Sequence, residues 1–464
     1  MLFYTFILTL AAIATLSLVV SPRAQTADGF FKGFSDNGDA PPLWTLVLSQ
    51  VTTWIFARSL MTAALLGYYY GIAGALAYTA YYLSFLTGGL IVDHLRFKHH
   101  HTNIQRFMNE RFGAPGSLCY NLVIAVRLLS EVFSNLIVIG LLFGASDSME
   151  YFGAILAVAV VTFGYSIFGG LRASLRTDVV QAILVFCALA MLFAIMLFHN
   201  DFSLQDILSS SSEQSNPGWV LLAVALLQIW SYPLHDPVMM DRGFLADRET
   251  TKKSFHYAAL IAILCVFIFA LLGVFAGTLK VTDENMIDTL VRLFGHTTMI
   301  LFNVALIISA ISTLDSTFAS ASKLVAVDMA IIKPTPANGR IVMAAFLIGG
   351  GLFLLLGSED LYAAVAVSGT VSLFLTPIIF FSIWGNKDIK LWPMLLTFIT
   401  ALCGGVLYML ESSGYSNLLQ PIFGYSHKYA KLLIICIAIL VVGFVSFSVG
   451  QKRRAPIANQ HDWV

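Results

Sequence analysis

Thirteen apolar runs of about twenty residues divide the chain, and they constrain its fold more than any other feature. They span roughly 2–21, 43–66, 68–92, 117–144, 150–169, 178–199, 217–234, 254–279, 296–322, 340–357, 361–384, 391–410 and 429–450. A run of that length crosses a hydrocarbon core of about 30 Å as an α-helix. Inside lipid, backbone groups must be satisfied within the segment, which favours helices. The expected class is all-α, a polytopic membrane protein with about thirteen transmembrane helices. Composition agrees: 58% of the 464 residues are hydrophobic and 11% charged, against about 25% charged in soluble domains. Loops are too short for a separate soluble domain.

The 26 Lys and Arg residues are unevenly placed. With the N-terminus outside and spans alternating, twenty fall in inward loops and the tail, including Arg96, Arg172, Arg242, Lys323, Lys452, Arg453 and Arg454. Four fall outside: Lys280, Arg292, Lys428 and Lys431. The positive-inside bias predicts an inner (plasma) membrane protein with its C-terminus cytoplasmic. The run 2–21 lacks the basic segment of a cleaved signal peptide, so it reads as the first transmembrane helix. Cys119, Cys187, Cys265, Cys403 and Cys436 are scattered among apolar residues and read as small hydrophobes. There is no GxSxG, paired HxxxH or nucleotide loop, so neither an enzyme nor a nucleic-acid partner is expected. The run His99-His100-His101 reads as a solvated basic loop.

Runs two to six and seven to eleven form two sets of five. This predicts a first helix and inner loop over 1–42, a five-helix repeat over 43–199, a second over 200–385, and two closing helices with a tail over 386–464. An odd number of spans inverts the second copy, and such repeats bind their cargo near the midplane where helices are broken. The second half shows its break at Pro233 and Pro237, which remove amide donors. Between residues 43 and 66 there is no glycine or proline. The hydroxyl-bearing stretch Ser49-Gln50-Val51-Thr52-Thr53 is the place expected to open.

Residues 296–322 carry Ser309, Ser312, Thr313, Asp315 and Ser316 in an otherwise apolar span. Polar groups at that depth face a bundle interior or pathway, and hydroxyls around an acid read as a cation site. Arg58, Arg127 and Glu131 are the other deep charges. Arg127 and Glu131 are four apart and can pair on one helix. Arg58 can grip an anionic substrate group with two parallel hydrogen bonds, or pair with Glu131 or Asp315. Trp54, Trp230, Tyr232, Ser368 and Thr370 are further candidates for lining the substrate cavity, with core packing as the alternative.

Phe168-Gly169-Gly170-Leu171-Arg172, followed by Thr177-Asp178-Val179-Val180-Gln181, resembles the signature of the sodium:solute symporter family. Ser312-Thr313-Leu314-Asp315-Ser316, Met240-Asp241-Arg242-Gly243 and Gly67-Tyr68-Tyr69-Tyr70-Gly71 resemble further segments of that family. The resemblance implies a leucine-transporter-type fold and sodium as coupling ion, with no other cofactor. It implies one Na+ held by the carbonyls of Thr52, Ile55 and Ser309 and the hydroxyls of Ser312 and Thr313. It further implies a second cation position at Asp178, Asp315 and Ser316, where two acids stand in place of the usual one.

The expected function is sodium-coupled import of a small organic solute, anionic or zwitterionic, by alternating access. The partners are that solute, sodium and the bilayer. A proton-coupled permease of the same fold and a transporter-like solute sensor are the alternatives.

Overall fold

The computed structural model describes residues 2–144, 148–354, 361–424 and 427–452, with no side-chain description for 2–6, 361–366 and 423. Arg453 and Arg454, assigned above to the inward tail, lie outside the described residues.

Helices α1 (Leu2–Val20), α2 (Ala27–Lys32), α3 (Leu43–Trp54), α4 (Ala57–Ala80), α5 (Ser84–Val92), α6 (Ile104–Phe143), α7 (Met149–Leu197) and α8 (Leu204–Ser209) build the first part. After them come α9 (Pro217–Gln228), α10 (Tyr232–His235), α11 (Pro237–Gly243), α12 (Arg248–Thr278), α13 (Met286–Lys323) and α14 (Pro336–Phe353). The chain continues through α15 (Leu361–Ser372), α16 (Leu375–Pro377), α17 (Leu391–Ser412), α18 (Leu419–Phe423) and α19 (Lys428–Val449). No strand is formed among the described residues, only an isolated bridge between Ile389 and Gln451.

Nine helices among the described residues are long and apolar enough to cross a membrane, fewer than the thirteen runs. The continuous helical stretch Met149–Leu197, of 49 residues, covers two runs, and Ala57–Lys98, of 42, covers one run and the end of another. Two further apolar helices, Ile7–Val20 and Pro217–Gln228, fall short of a span. The long helices are interrupted at Gly71 (φ 63°) and Gly170 (φ 54°), left-handed positions that a side chain rarely adopts. A Cβ at Gly71 would strike Ser210 and Ser211, and one at Gly170 would strike the Phe30 carbonyl. The glycines of both motifs therefore serve sharp bends packed against neighbouring chain.

Helix α2 packs against α7 close to the second bend. Phe30 and Phe31 are buried, Thr26 caps the helix through the Gly29 amide, and Asp36 pairs with Arg172. That guanidinium, hydrogen-bonded to the carboxylate, lowers the Asp36 pKa from its ordinary value. At the centre of the molecule α3, α7, α11, α12 and α13 pack on one another, and this packing positions the site.

Candidate functional site

Two interrupted helices define the site. α3 ends at Trp54, Ile55 leaves helical geometry (φ −82°, ψ 67°), and α4 begins only at Ala57. The break therefore lies at Ile55 and Phe56, just beyond Ser49–Thr53, which is helical: the Thr52 and Thr53 hydroxyls fold back onto the Leu48 and Ser49 carbonyls at 2.7 and 2.8 Å. The second break separates α9 from α10 and α11, and Asp236 caps α11 by accepting from the Met239 amide at 2.9 Å.

Broken helices expose carbonyls, and a buried carbonyl needs a partner. Tyr82 donates to the Trp54 carbonyl, Thr87 to Ile229 and Tyr120 to Leu234, each at 2.7 Å. The carbonyls of Thr52 and Ile55 accept no hydrogen bond from the described residues. Both residues are buried. Two buried, unsatisfied oxygens in a membrane bundle are costly unless something else binds them.

Among the packed helices α3, α7 and α13, Ser312 donates to Asp178 Oδ1 at 2.7 Å, Ser49 donates to Asp178 Oδ2 at 2.6 Å, and Thr313 donates to the Ser309 carbonyl at 2.8 Å. Asp178 thus ties α3, α7 and α13 together. The Ser309 hydroxyl has no partner among the described residues. Hydroxyls and carbonyls of this kind are hard oxygen donors, suited to a small cation carried as cargo.

The structure brings Asp178 and Ser316 together, and Ser174 and Ser316 share a 2.8 Å hydrogen bond. Asp315 accepts from Thr177 at 2.8 Å. Between these groups lies a residue that the sequence placed in an inward loop. Arg242 is fully buried, donating to Ser316 at 2.9 Å, Ser49 at 3.2 Å and Ser174 at 3.4 Å, with Asp178 Oδ2 at 3.7 Å. The guanidinium thus stands among Asp178, Ser174 and Ser316, where the family resemblance implied a second cation, and the inward-loop assignment of Arg242 is corrected: seven-residue α11 carries it back into the core.

A second charged cluster lies beside the break. Arg127 pairs with Glu131 as expected for neighbours four apart. Arg127 also reaches Asp236 at 3.2 Å, and Arg58 reaches Glu131 at 3.4 Å. Arg58 pairs with Glu131, and no Arg58–Asp315 ion pair is formed among the described residues. The Phe56 ring sits under both guanidinium groups. Arg58 and Arg127 each leave Nε without a partner among the described residues, so the clamp on the acids is incomplete. Phe56, Arg127, Glu131, Asp236, Thr313 and Thr317 line one small void beside this cluster.

Trp54 and Tyr232 pack edge to face at 5.4 Å beside the cluster. Trp230 does not join them; its ring packs on Phe380 and Trp384 at 5.6 and 6.1 Å. Ser368 is half-buried and Thr370 is buried on α15, where neighbouring Gly369 meets the Gln228 side chain. Neither lines the voids beside the cluster. Asp236 and buried His235, absent from the sequence-based candidates, do belong to this region, brought in by the break between the two prolines.

A cavity of about 850 Å³, lined in part by Met61, Thr62, Asn285, Asp288, His296 and Tyr429, lies one turn of α4 beyond Arg58. At the opposite end of α13 the bundle is sealed. Lys323 bonds Asp241 at 2.6 Å and Asp328 at 2.9 Å, Asn103 holds Asp328 at 3.2 Å, and Arg248 grips Asp93 with two bonds. The cavity thus lies at one end of α13 and this cluster of ion pairs at the other.

The break in α3 and the hydroxyls of α13 thus belong to one packed bundle. Residues 42–220 match the sodium:solute symporter family. The fold of the chain is shared with the substrate-bound outward-open state of a Na+-coupled sialic acid symporter: TM-score 0.71, 17% identity, 97% of this chain and 98% of that one covered. It is shared more distantly with a nucleobase-cation-symport-1 family transporter in a closed conformation with bromovinylhydantoin bound (TM-score 0.54, 13% identity, 93% and 96% covered). A manganese transporter from Eremococcus coleocola, in complex with an aromatic bis-isothiourea substituted compound, is also similar (0.50, 12%, 88% and 95%). No curated protein matches the sequence. The leucine-transporter-type fold is established by these likenesses, and together with the family match it supports a secondary symporter.

Proposed function

We propose that this chain is a sodium-coupled symporter that imports a small organic anion or zwitterion by alternating access. The observation that carries the reading is the pair of unsatisfied carbonyls at Thr52 and Ile55, on a helix packed against the one that bears Ser312 and Thr313. Sodium at these oxygens and the Ser309 carbonyl ties α3 to α13 and holds the break in shape. Thr313 shares a small void with Arg127 and Glu131; a solute bound at this cluster neighbours the ion, and each favours binding of the other, reciprocally.

Arg58 supplies the substrate charge preference. It is buried and holds Glu131 through a single 3.4 Å bond among the described residues, while Arg127 is shared between Glu131 and Asp236. A carboxylate, phosphate or sulfonate on the solute completes the guanidinium with parallel hydrogen bonds. The two five-helix units, 43–199 and 200–385, move against each other about the site. The open cavity corresponds to the outward-facing state, with Lys323 on the cytoplasmic side.

A ligand screen by thermal shift, with sodium or choline as the only cation, tests this reading. Anionic or zwitterionic solutes should stabilise the protein and do so more strongly in sodium. Stabilisation confined to neutral sugars, equal in both salts, would remove it.

A further inference from the structure

We propose that the Arg242 guanidinium is a built-in cation in the place of a second coupling ion, leaving one sodium to be carried per cycle. The inference deepens the sodium-coupled reading above and rests on it for the first ion.

Two carboxylates, Asp178 and Asp315, lie in one buried region with a single guanidinium between α3, α7 and α13. The oxygens around Arg242 are those a small cation would need: the hydroxyls of Ser49, Ser174 and Ser316, the Val238 carbonyl and the Asp178 carboxylate. The guanidinium already takes all of them, through Nε, Nη1 and Nη2. A second unit charge placed among the same oxygens would meet it at contact distance in a medium of low dielectric, where repulsion is strong. The formal charge of the region is then a single surplus negative. Asp315 Oδ1 has no hydrogen-bonding partner among the described residues, and one sodium beside Ser312 closes the balance.

Arg242 is also tethered differently from a diffusible ion. It rides on α11, whose Asp236 cap belongs to the Arg127 cluster and whose Asp241 is held by Lys323. A change of α11 position at either end withdraws or inserts the charge without releasing it to solvent.

The test is sodium titration of thermal stability in purified protein, with choline chloride holding ionic strength and pH constant. Wild type should give one hyperbolic sodium phase, lost in Ser312→Ala with Thr313→Ala. Arg242→Gln should add a second sodium-dependent phase that survives those two changes, whereas Arg242→Lys, which keeps the charge, should not. Two phases in wild type, or a folded Arg242→Gln with an unchanged response, would overturn the proposal. If wild type shows no sodium phase, the sodium-coupled reading fails; a phase gained in Arg242→Gln would still support displacement of a cation by the guanidinium. Should Arg242→Gln unfold in choline, sodium or free guanidinium ion must restore it, and failure of both to do so counts against the proposal.

Discussion

The Ser312 hydroxyl donates a 2.7 Å hydrogen bond to Asp178, joining α13 to α7 beside the free carbonyls of α3. A hydrogen bond to a charged group contributes about 1.5–3 kcal/mol, equivalent to roughly ten- to a hundredfold in affinity. Ser312→Ala should weaken sodium binding within that range and Thr313→Ala, which removes a hydroxyl bonded to the neutral Ser309 carbonyl, by less; together they should nearly abolish sodium-dependent uptake while the protein still reaches the membrane. Sodium titration of uptake rates checks this. A double variant with a wild-type sodium response would place the site elsewhere.

Arg58→Gln separates substrate binding from structural pairing. Glu131 keeps Arg127 after the change, so the variant should remain folded and bind sodium. Its affinity for an anionic solute should fall by about 2–5 kcal/mol, the usual loss for truncating one member of a buried charge pair. A fall in thermal stability restored by Glu131→Gln, with solute affinity intact, would assign Arg58 to structure instead.

Lys323 closes the face opposite the cavity. Lys323→Met leaves Asp241 and Asp328 as buried charges without their shared cation, and breaking such a pair costs about 3–5 kcal/mol. The expected result is a shift toward the state open on that face, seen as faster labelling of cysteines placed near residues 96–111 once the membrane is permeabilised. Labelling rates equal to wild type would confine Lys323 to stability.

Glu284, at the rim of the loop before α13, should confer acid sensitivity. Arg292 holds both of its oxygens at 2.8 Å and lowers its pKa from 4.5 to about 2. A depressed carboxylate pKa means that the unfolded chain binds the proton first. The stabilisation is therefore fully present above pH 4.5 and is lost as pH falls toward about 2. Melting curves across that window should flatten in Glu284→Gln. An unchanged acid profile would show that the pair contributes nothing measurable.

The parts of the site legible in the sequence are those written in local order. Ser312 and Thr313 announced themselves as hydroxyls in an apolar span, Asp178 through the resemblance of its 177–181 segment to a family signature, and Arg127 with Glu131 through helical spacing. Asp236, His235 and Arg242 were hidden because α10 and α11 are four and seven residues long, too short for periodicity to show which side is buried. The opening of α3 fell at Ile55, past the hydroxyls expected to permit it, because those hydroxyls satisfy helical carbonyls. Trp230 shares its neighbourhood in sequence with Tyr232 but packs on the other side of the break, a difference of facing that composition does not encode. Nothing local told Arg58 which acid it would meet; that depends on how α4 packs against α6.

The most direct measurement of the central claim is solute accumulation by the purified protein in sealed liposomes, with pH clamped and an inward sodium gradient imposed. The account predicts concentrative uptake that ends when the gradient is collapsed and is absent in the Ser312→Ala, Thr313→Ala double variant. Equal accumulation in sodium-free buffer, driven instead by an acidic exterior, would contradict it.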